Sequence, residues 1–201
     1  MMASMHTEQQ SVRQHILAIG RDIIVGKGYS AVGLNEILSA AGVPKGSFYH
    51  YFKSKELFGK AMLEDYVGGY LAALDAMLAP DGSAGLARLM RYWDSWLAVA
   101  DDGCAGSKCL VVKLSGEVAD MSDAMREVLL QGTNRIVQRL ADCIAEGVAD
   151  GSIRAGVAPP QTALALYEMW LGAALLTKLR REPSALRNAK QVTLAMLEPP
   201  G

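Results

Sequence analysis

The stretch VPKGSFYHYFKSKELF, Val43 to Phe58, sets five aromatic residues and three lysines into sixteen positions. A helix buried on every side would reject the lysines, and one bathed in water would reject the rings. The pattern fits a short helix with one face anchored inward and the other offered to a charged partner. Just before it, GLNEILSAA (Gly33–Ala41) directs Leu34, Ile37 and Leu38 to one side, and Gly42 ends the run. Val43 plugs the corner, and Pro44 suits the first position of a helix over about Pro44–Tyr51. Two short helices about a glycine-containing turn make a helix-turn-helix, with the motif at about residues 33–52.

In such a unit the second helix enters the major groove and its N-terminal residues meet base edges and phosphates. Gly46 lets the backbone come close to the duplex. Lys45 and Ser47 reach base edges or phosphate, and Tyr49 and His50 donate to phosphate oxygens. Lys55 adds a contact from the first turn of the next helix, where backbone amides already favour an anion. Phe48 and Phe52 turn inward and anchor the unit. Charge agrees: residues 1–60 carry seven Lys/Arg against four Asp/Glu, although the whole chain is at −1.

Outside this module the pattern is helical throughout, so the expected class is all-α, with nine helices. Val12, Ile16, Ile19, Ile23 and Ile24 recur at helical steps up to the glycines of GKGY. Ser54 caps a fourth helix reaching about Leu78, interrupted only by Gly68-Gly69. A fifth covers about Ala84–Ala100. A sixth, KCLVVKLSGEVAD, starts after a Ser107 cap, and a seventh runs over about Asp123–Ala149. The eighth, about 161–181, is apolar most of the way round, which suits a subunit interface, with the ninth over about 184–197 beside it. The expected division is a DNA-binding domain over residues 8–54 and a regulatory and dimerisation domain over 55–201.

Composition excludes several classes. No run reaches the ~18 apolar residues of a membrane span, and MMASMHTEQQSVRQ lacks the apolar core of a signal peptide, so a cytoplasmic protein is expected. The three cysteines, Cys104, Cys109 and Cys143, have no zinc spacing. With no Walker loop, dinucleotide fingerprint, HExxH or Cys–His pairing, the chain reads as neither an enzyme nor a metal- or cofactor-binding protein.

The N-terminal part resembles the TetR family of bacterial transcriptional repressors. The likeness runs through Gly28-Tyr29, Glu36-Ile37, Ala41-Gly42-Val43, Lys45-Gly46, Phe48-Tyr49, Tyr51-Phe52 and Ser54-Lys55-Glu56-Leu57. It departs at Gly33, where the family favours Ser or Thr, so a hydroxyl that often touches phosphate is missing. The resemblance implies a nine-helix dimer joined through its last two long helices, bound to a palindromic operator.

Two further stretches, GSKCLVVKLSGEVADMSDAMREVL and YEMWLGAALLTKL, are similar to the subgroup that responds to N-ethylmaleimide and related electrophiles or oxidants. That likeness implies a sensor cysteine at Cys109 and a participating lysine at Lys178. The local chemistry supports Cys109: a thiol in the first turn of a helix, flanked by Lys108 and Lys113, has a lowered pKa and raised reactivity. Lys108 stands where the subgroup tends to have glycine. Cys104 is a candidate resolving partner, and Cys143 reads as core. An alternative inducer is a non-covalent apolar molecule held by Trp93, Trp96, Trp170 and Tyr167.

Overall fold

The computed structural model describes residues 2–100 and 110–200, with side chains from residue 11 onward. All regular structure among the described residues is helical: α1 (Met2–Lys27), α2 (Leu34–Ala41), α3 (Lys45–Phe52), α4 (Lys55–Leu78), α5 (Gly85–Val99), α6 (Leu110–Val118), α7 (Asp123–Ala149), α8 (Pro159–Arg180) and α9 (Ser184–Leu197). The expected class and element order hold. Gly68 and Gly69 do not interrupt α4, because both face solvent and the backbone ladder continues through them.

The chain divides into two compact units: Met1–Gly68 with Lys113–Leu130, and Gly69–Val112 with Gln131–Gly201. The first therefore extends past the 54/55 boundary expected from sequence and takes in part of α6 and the start of α7.

Within the first unit, Ile16, Leu17, Ile24, Ile37, Phe48, Phe58, Met62 and Leu63 form a buried core. Phe48, Phe52 and Phe58 lie 5.1–5.5 Å apart, each pair tilted or edge-on, the arrangement aromatic quadrupoles favour. Gly20 admits them: a Cβ there would stand 2.4 Å from the Phe58 ring. Gly42 closes α2 at φ 64°, its amide turned to the carbonyls of Leu38 and Ser39. Pro44 sits one place earlier than expected, as the residue flanking α3, and its carbonyl accepts the Ser47 amide at 3.0 Å. Ser54 caps α4 as expected, its Oγ accepting the Leu57 amide at 3.0 Å. Ser122 does the same for α7 through the Met125 amide, and its hydroxyl donates to Glu56 Oε1 at 2.7 Å.

The second unit is built around Trp93 and Trp170, fully buried and stacked at 4.6 Å. Trp170 Nε1 donates to Thr193 Oγ1 at 2.9 Å, joining α8 to α9. Gly85 and Gly147 let α5 and α7 touch backbone to backbone, since a Cβ on Gly85 would lie 2.5 Å from the Gly147 main chain. Arg88 is buried between Glu146 (2.7 Å) and the Leu78 carbonyl (2.7 Å), and so caps the end of α4. No helix among the described residues is long and apolar enough to cross a membrane.

Candidate nucleic-acid interface

α3 is only eight residues long, and its two faces differ completely. Phe48 and Phe52 are buried beneath it. Lys45, Gly46, Tyr49 and His50 are exposed, and Ser47 is half-buried. Lys45 and Tyr49, one turn apart, form a pair with the ammonium 5.9 Å from the ring centroid, at the limit of a cation–π contact. Tyr49 also stands edge-on to Phe48 at 5.7 Å, so its ring is braced from below while its hydroxyl end stays in water. Five of the six expected contact residues therefore share one short helix, four of them exposed.

Lys55 is different. Its ammonium turns back into the unit, donating to the Tyr29 carbonyl at 2.9 Å and lying 4.4 Å over the Tyr29 ring. Tyr29 returns the bond, its hydroxyl donating to the Lys55 carbonyl at 2.8 Å. Burial lowers the Lys55 pKa, with the charge of Glu117 opposing. The Tyr29 hydroxyl is pushed up to about 12, by burial first and then by Glu56 and Glu117. Lys55 was expected to reach phosphate; its ammonium is committed to the fold because Tyr29 offers both a ring face and a carbonyl.

Lys113 also departs from expectation. It was expected to add positive charge beside Cys109, but its ammonium donates to the Gly26 carbonyl at the end of α1, at 3.0 Å. One turn on, Glu117 accepts the amides of Tyr29 (3.0 Å) and Ser30. Burial pushes its carboxyl up, but hydrogen bonding from Ser30, by side chain and amide, from the Tyr29 amide, and the Lys55 charge outweigh it, so Glu117 stays below its ordinary pKa. In the sequence, Lys113 is read beside Cys109 and Glu117 only as part of the stretch VVKLSGEV, with no partner foreseen for either. Nothing local reveals a partner 87 residues away.

Cys104, Ser107, Lys108 and Cys109 lie outside the described residues. Lys178 is exposed in the last turn of α8, where a cation complements the helix dipole. Cys143 is buried, its thiol donating to the Gly85 carbonyl at 3.4 Å, and burial pushes its pKa up to about 11. Trp93, Trp170 and Tyr167, expected as lining for an apolar ligand, are buried. Trp96 stands edge-on to both other tryptophans, at 5.7 and 6.2 Å. The three tryptophan rings pack on one another. No group of three or more His, Cys, Asp or Glu among the described residues is arranged to hold a metal ion.

Residues 16–61 match the model for bacterial regulatory proteins of the tetR family, and residues 85–193 that for the tetracyclin repressor-like C-terminal domain. The chain is 38% identical to the HTH-type transcriptional repressor NemR of Escherichia coli (strain K12), over 92% of both chains. It is 34% identical to the HTH-type transcriptional repressor DhaR of Mycobacterium sp. (strain GP1), over 94% of this chain and 93% of that one. The crystal structure of the reduced form of E. coli NemR superposes with a TM-score of 0.90 at 36% identity, covering 95% of this chain and 99% of that one. The regulatory protein TetR from Rhodobacter sphaeroides gives a TM-score of 0.81 at 34% identity, covering 92% and 97%.

Proposed function

We propose, from the premise that this chain belongs to the tetR family of bacterial regulatory proteins, that it is a dimeric transcriptional repressor released from a palindromic operator when an electrophile or oxidant modifies Cys109. The observation that carries the reading is α3: a short helix anchored by the buried Phe48 and Phe52, with Lys45, Gly46, Tyr49 and His50 exposed. In a dimer two such helices stand one DNA turn apart, about 34–36 Å, and meet successive major grooves. The paired surface is α8 with α9, where Leu164, Leu175, Leu176, Leu179 and Val192 are all exposed.

Release follows from sulfur chemistry. A Cys109 thiolate adds across the maleimide double bond: the S–C bond forms, the π bond breaks, and a proton ends on the adjacent carbon. An oxidant instead gives a sulfenic acid, which condenses with an amine, forming an S–N bond and expelling water. Lys178 is the candidate amine. Either product changes volume or charge at the start of α6 and shifts the equilibrium between the binding and released states.

The test is operator binding before and after limiting N-ethylmaleimide, with intact-mass analysis of the same sample. Cys109→Ser keeps wild-type affinity and is no longer released, whereas Cys143→Ser is released like wild type. Native alkylation passes Cys143 by, since a buried thiol with a pKa of about 11 supplies almost no thiolate at neutral pH. Release of Cys109→Ser at wild-type doses overturns the cysteine mechanism and leaves DNA binding standing.

A further inference from the structure

The corner between α1 and α2 precedes the two short helices, and its polar groups are met by side chains of α6. The chain reverses at Gly28, φ 94°, a conformation glycine adopts at no steric cost. Just before the reversal, the Gly26 carbonyl ends α1 and receives the Lys113 ammonium at 3.0 Å. Just after it, the amides of Tyr29 and Ser30 point the other way and meet the two oxygens of Glu117. A cation on the carbonyl end and an anion on the amides is the order of charge that a helix terminus and a concave pair of amides demand. The fit is close: a Cβ on Gly28 would lie 3.2 Å from Glu117 Oε2. Ser30 Oγ reaches Met121 Sδ at 3.1 Å, so the turn after α6 also touches the corner. α2 begins at Leu34, four residues beyond Ser30, and α3 follows at Lys45.

We propose that Lys113 and Glu117, one turn apart on α6, are positioning residues for operator recognition: they clasp the α1–α2 corner and thereby fix the angle at which α3 is presented. Neither touches DNA in this role. The clasp is half-exposed, so water can replace its hydrogen bonds when it is removed, and the fold loses little. Water cannot replace the geometry. A carboxylate that holds two successive amides fixes the plane between them, while separate waters leave that plane free to rock. Sequence-specific binding needs two reading heads in exact register, and non-specific binding needs only charge on the outside. The two kinds of binding therefore respond differently to loss of the clasp.

That difference is the test, and it goes beyond the cysteine reading because no inducer enters it. A duplex is first selected from a random-sequence library by the wild-type dimer. Glu117→Ala, Glu117→Gln and Lys113→Met are then titrated against it, and against an unselected duplex of equal length at the same salt, with thermal melts alongside. Glu117→Ala is expected to lose tenfold or more in affinity for the selected duplex. Its affinity for the unselected duplex stays within twofold, and its melting temperature stays near wild type. Glu117→Gln, which keeps one acceptor oxygen, recovers part of the loss, and Lys113→Met shows a smaller loss of the same kind. Wild-type discrimination in Glu117→Ala overturns the proposal, and so does an equal loss on both duplexes, which reports only a smaller folded fraction. Should Glu117→Ala fail to fold, the same two outcomes are read from Glu117→Gln and Lys113→Met. Failure of the wild-type chain to select any duplex would instead overturn the repressor reading itself.

Discussion

α3 and α8 each bury one side and leave the other open to solvent, and their open sides differ in kind. α3 shows water an ammonium, a phenol, an imidazole and a bare stretch of backbone at Gly46. α8 shows it a stripe: Leu164, Leu175 and Leu179 lie within about a sixth of a turn of one another at 100° per residue, and Leu179 is 71% exposed. The buried sides are alike in purpose. Phe48 and Phe52 anchor the first helix; Trp170, Ala173 and Ala174 anchor the second. Burial therefore fixes where each helix sits, while the exposed residue types select what it meets. Polar tips and positive charge suit a phosphate backbone, and a leucine stripe suits a second copy of itself.

The comparison breaks most completely on the leucine side. Leu175→Glu with Leu179→Glu places two charges per copy in the stripe without disturbing a buried side chain. The expected outcome is a folded monomer that keeps its melting profile at high dilution and loses operator affinity by roughly 10²–10⁴, since the second reading head no longer benefits from an intramolecular concentration. Sedimentation and a gel shift on the same preparation check this. A variant that stays dimeric and binds normally would show that the stripe serves some other contact.

How much of this contrast the sequence carried depends on the range of each signal. The cap at Ser54 and the bounds of α7 were legible because a helix start is written within three or four residues. The exposure and pairing of Lys45 and Tyr49 followed from equally local spacing, since the two are one turn apart. The start of α5 was legible to within one residue, at Ala84 against Gly85, but what holds its first turn was not. Ala84 supplies no side-chain cap, and the Gly85 and Leu86 amides are met by Asp150 and Ser152, at 2.7 and 3.1 Å, from a loop about 65 residues on. Lys55 shows the same limit: its place in a first turn suggests phosphate, and its bond to the Tyr29 carbonyl, 26 residues earlier, leaves no local signal. Glu117 and Lys113 stood in a recognised motif, yet their partners at residues 26–30 emerge only once α6 is folded against the corner. Contacts that close long loops leave no periodic trace in the chain.

On the polar side the expected effect is smaller and more informative. Lys45→Ala should cost about 1–3 kcal/mol of operator binding, roughly five- to 150-fold, with no change in dimerisation. Lys45 is exposed, so the melting temperature should not move. The salt dependence then assigns the contact. If the ammonium neutralises a phosphate, the slope of log K against log salt falls by about one for each head and every duplex suffers alike. If it reads a base edge, the slope stays put and only the selected sequence suffers.

Tyr49→Phe refines the same point at the lower limit of effect. The substitution keeps the ring, and with it the edge-on contact to Phe48 and the approach of Lys45. Only the hydroxyl is lost, and in the free protein that hydroxyl projects toward water, so folding stability should be unchanged. In the complex it would donate to a phosphate oxygen, a bond whose net worth is about 0.5–1.5 kcal/mol, or up to tenfold in affinity. Because a phenol carries no charge, its loss releases no counterion and the salt slope must match wild type. A drop in affinity at constant slope therefore identifies a neutral hydrogen bond to the backbone. An unchanged affinity would mean that the ring serves only to brace Lys45, and the reading face would then reduce to Lys45, the approach at Gly46, Ser47 and His50. Tyr49→Ala separates those cases, because it alone removes the brace.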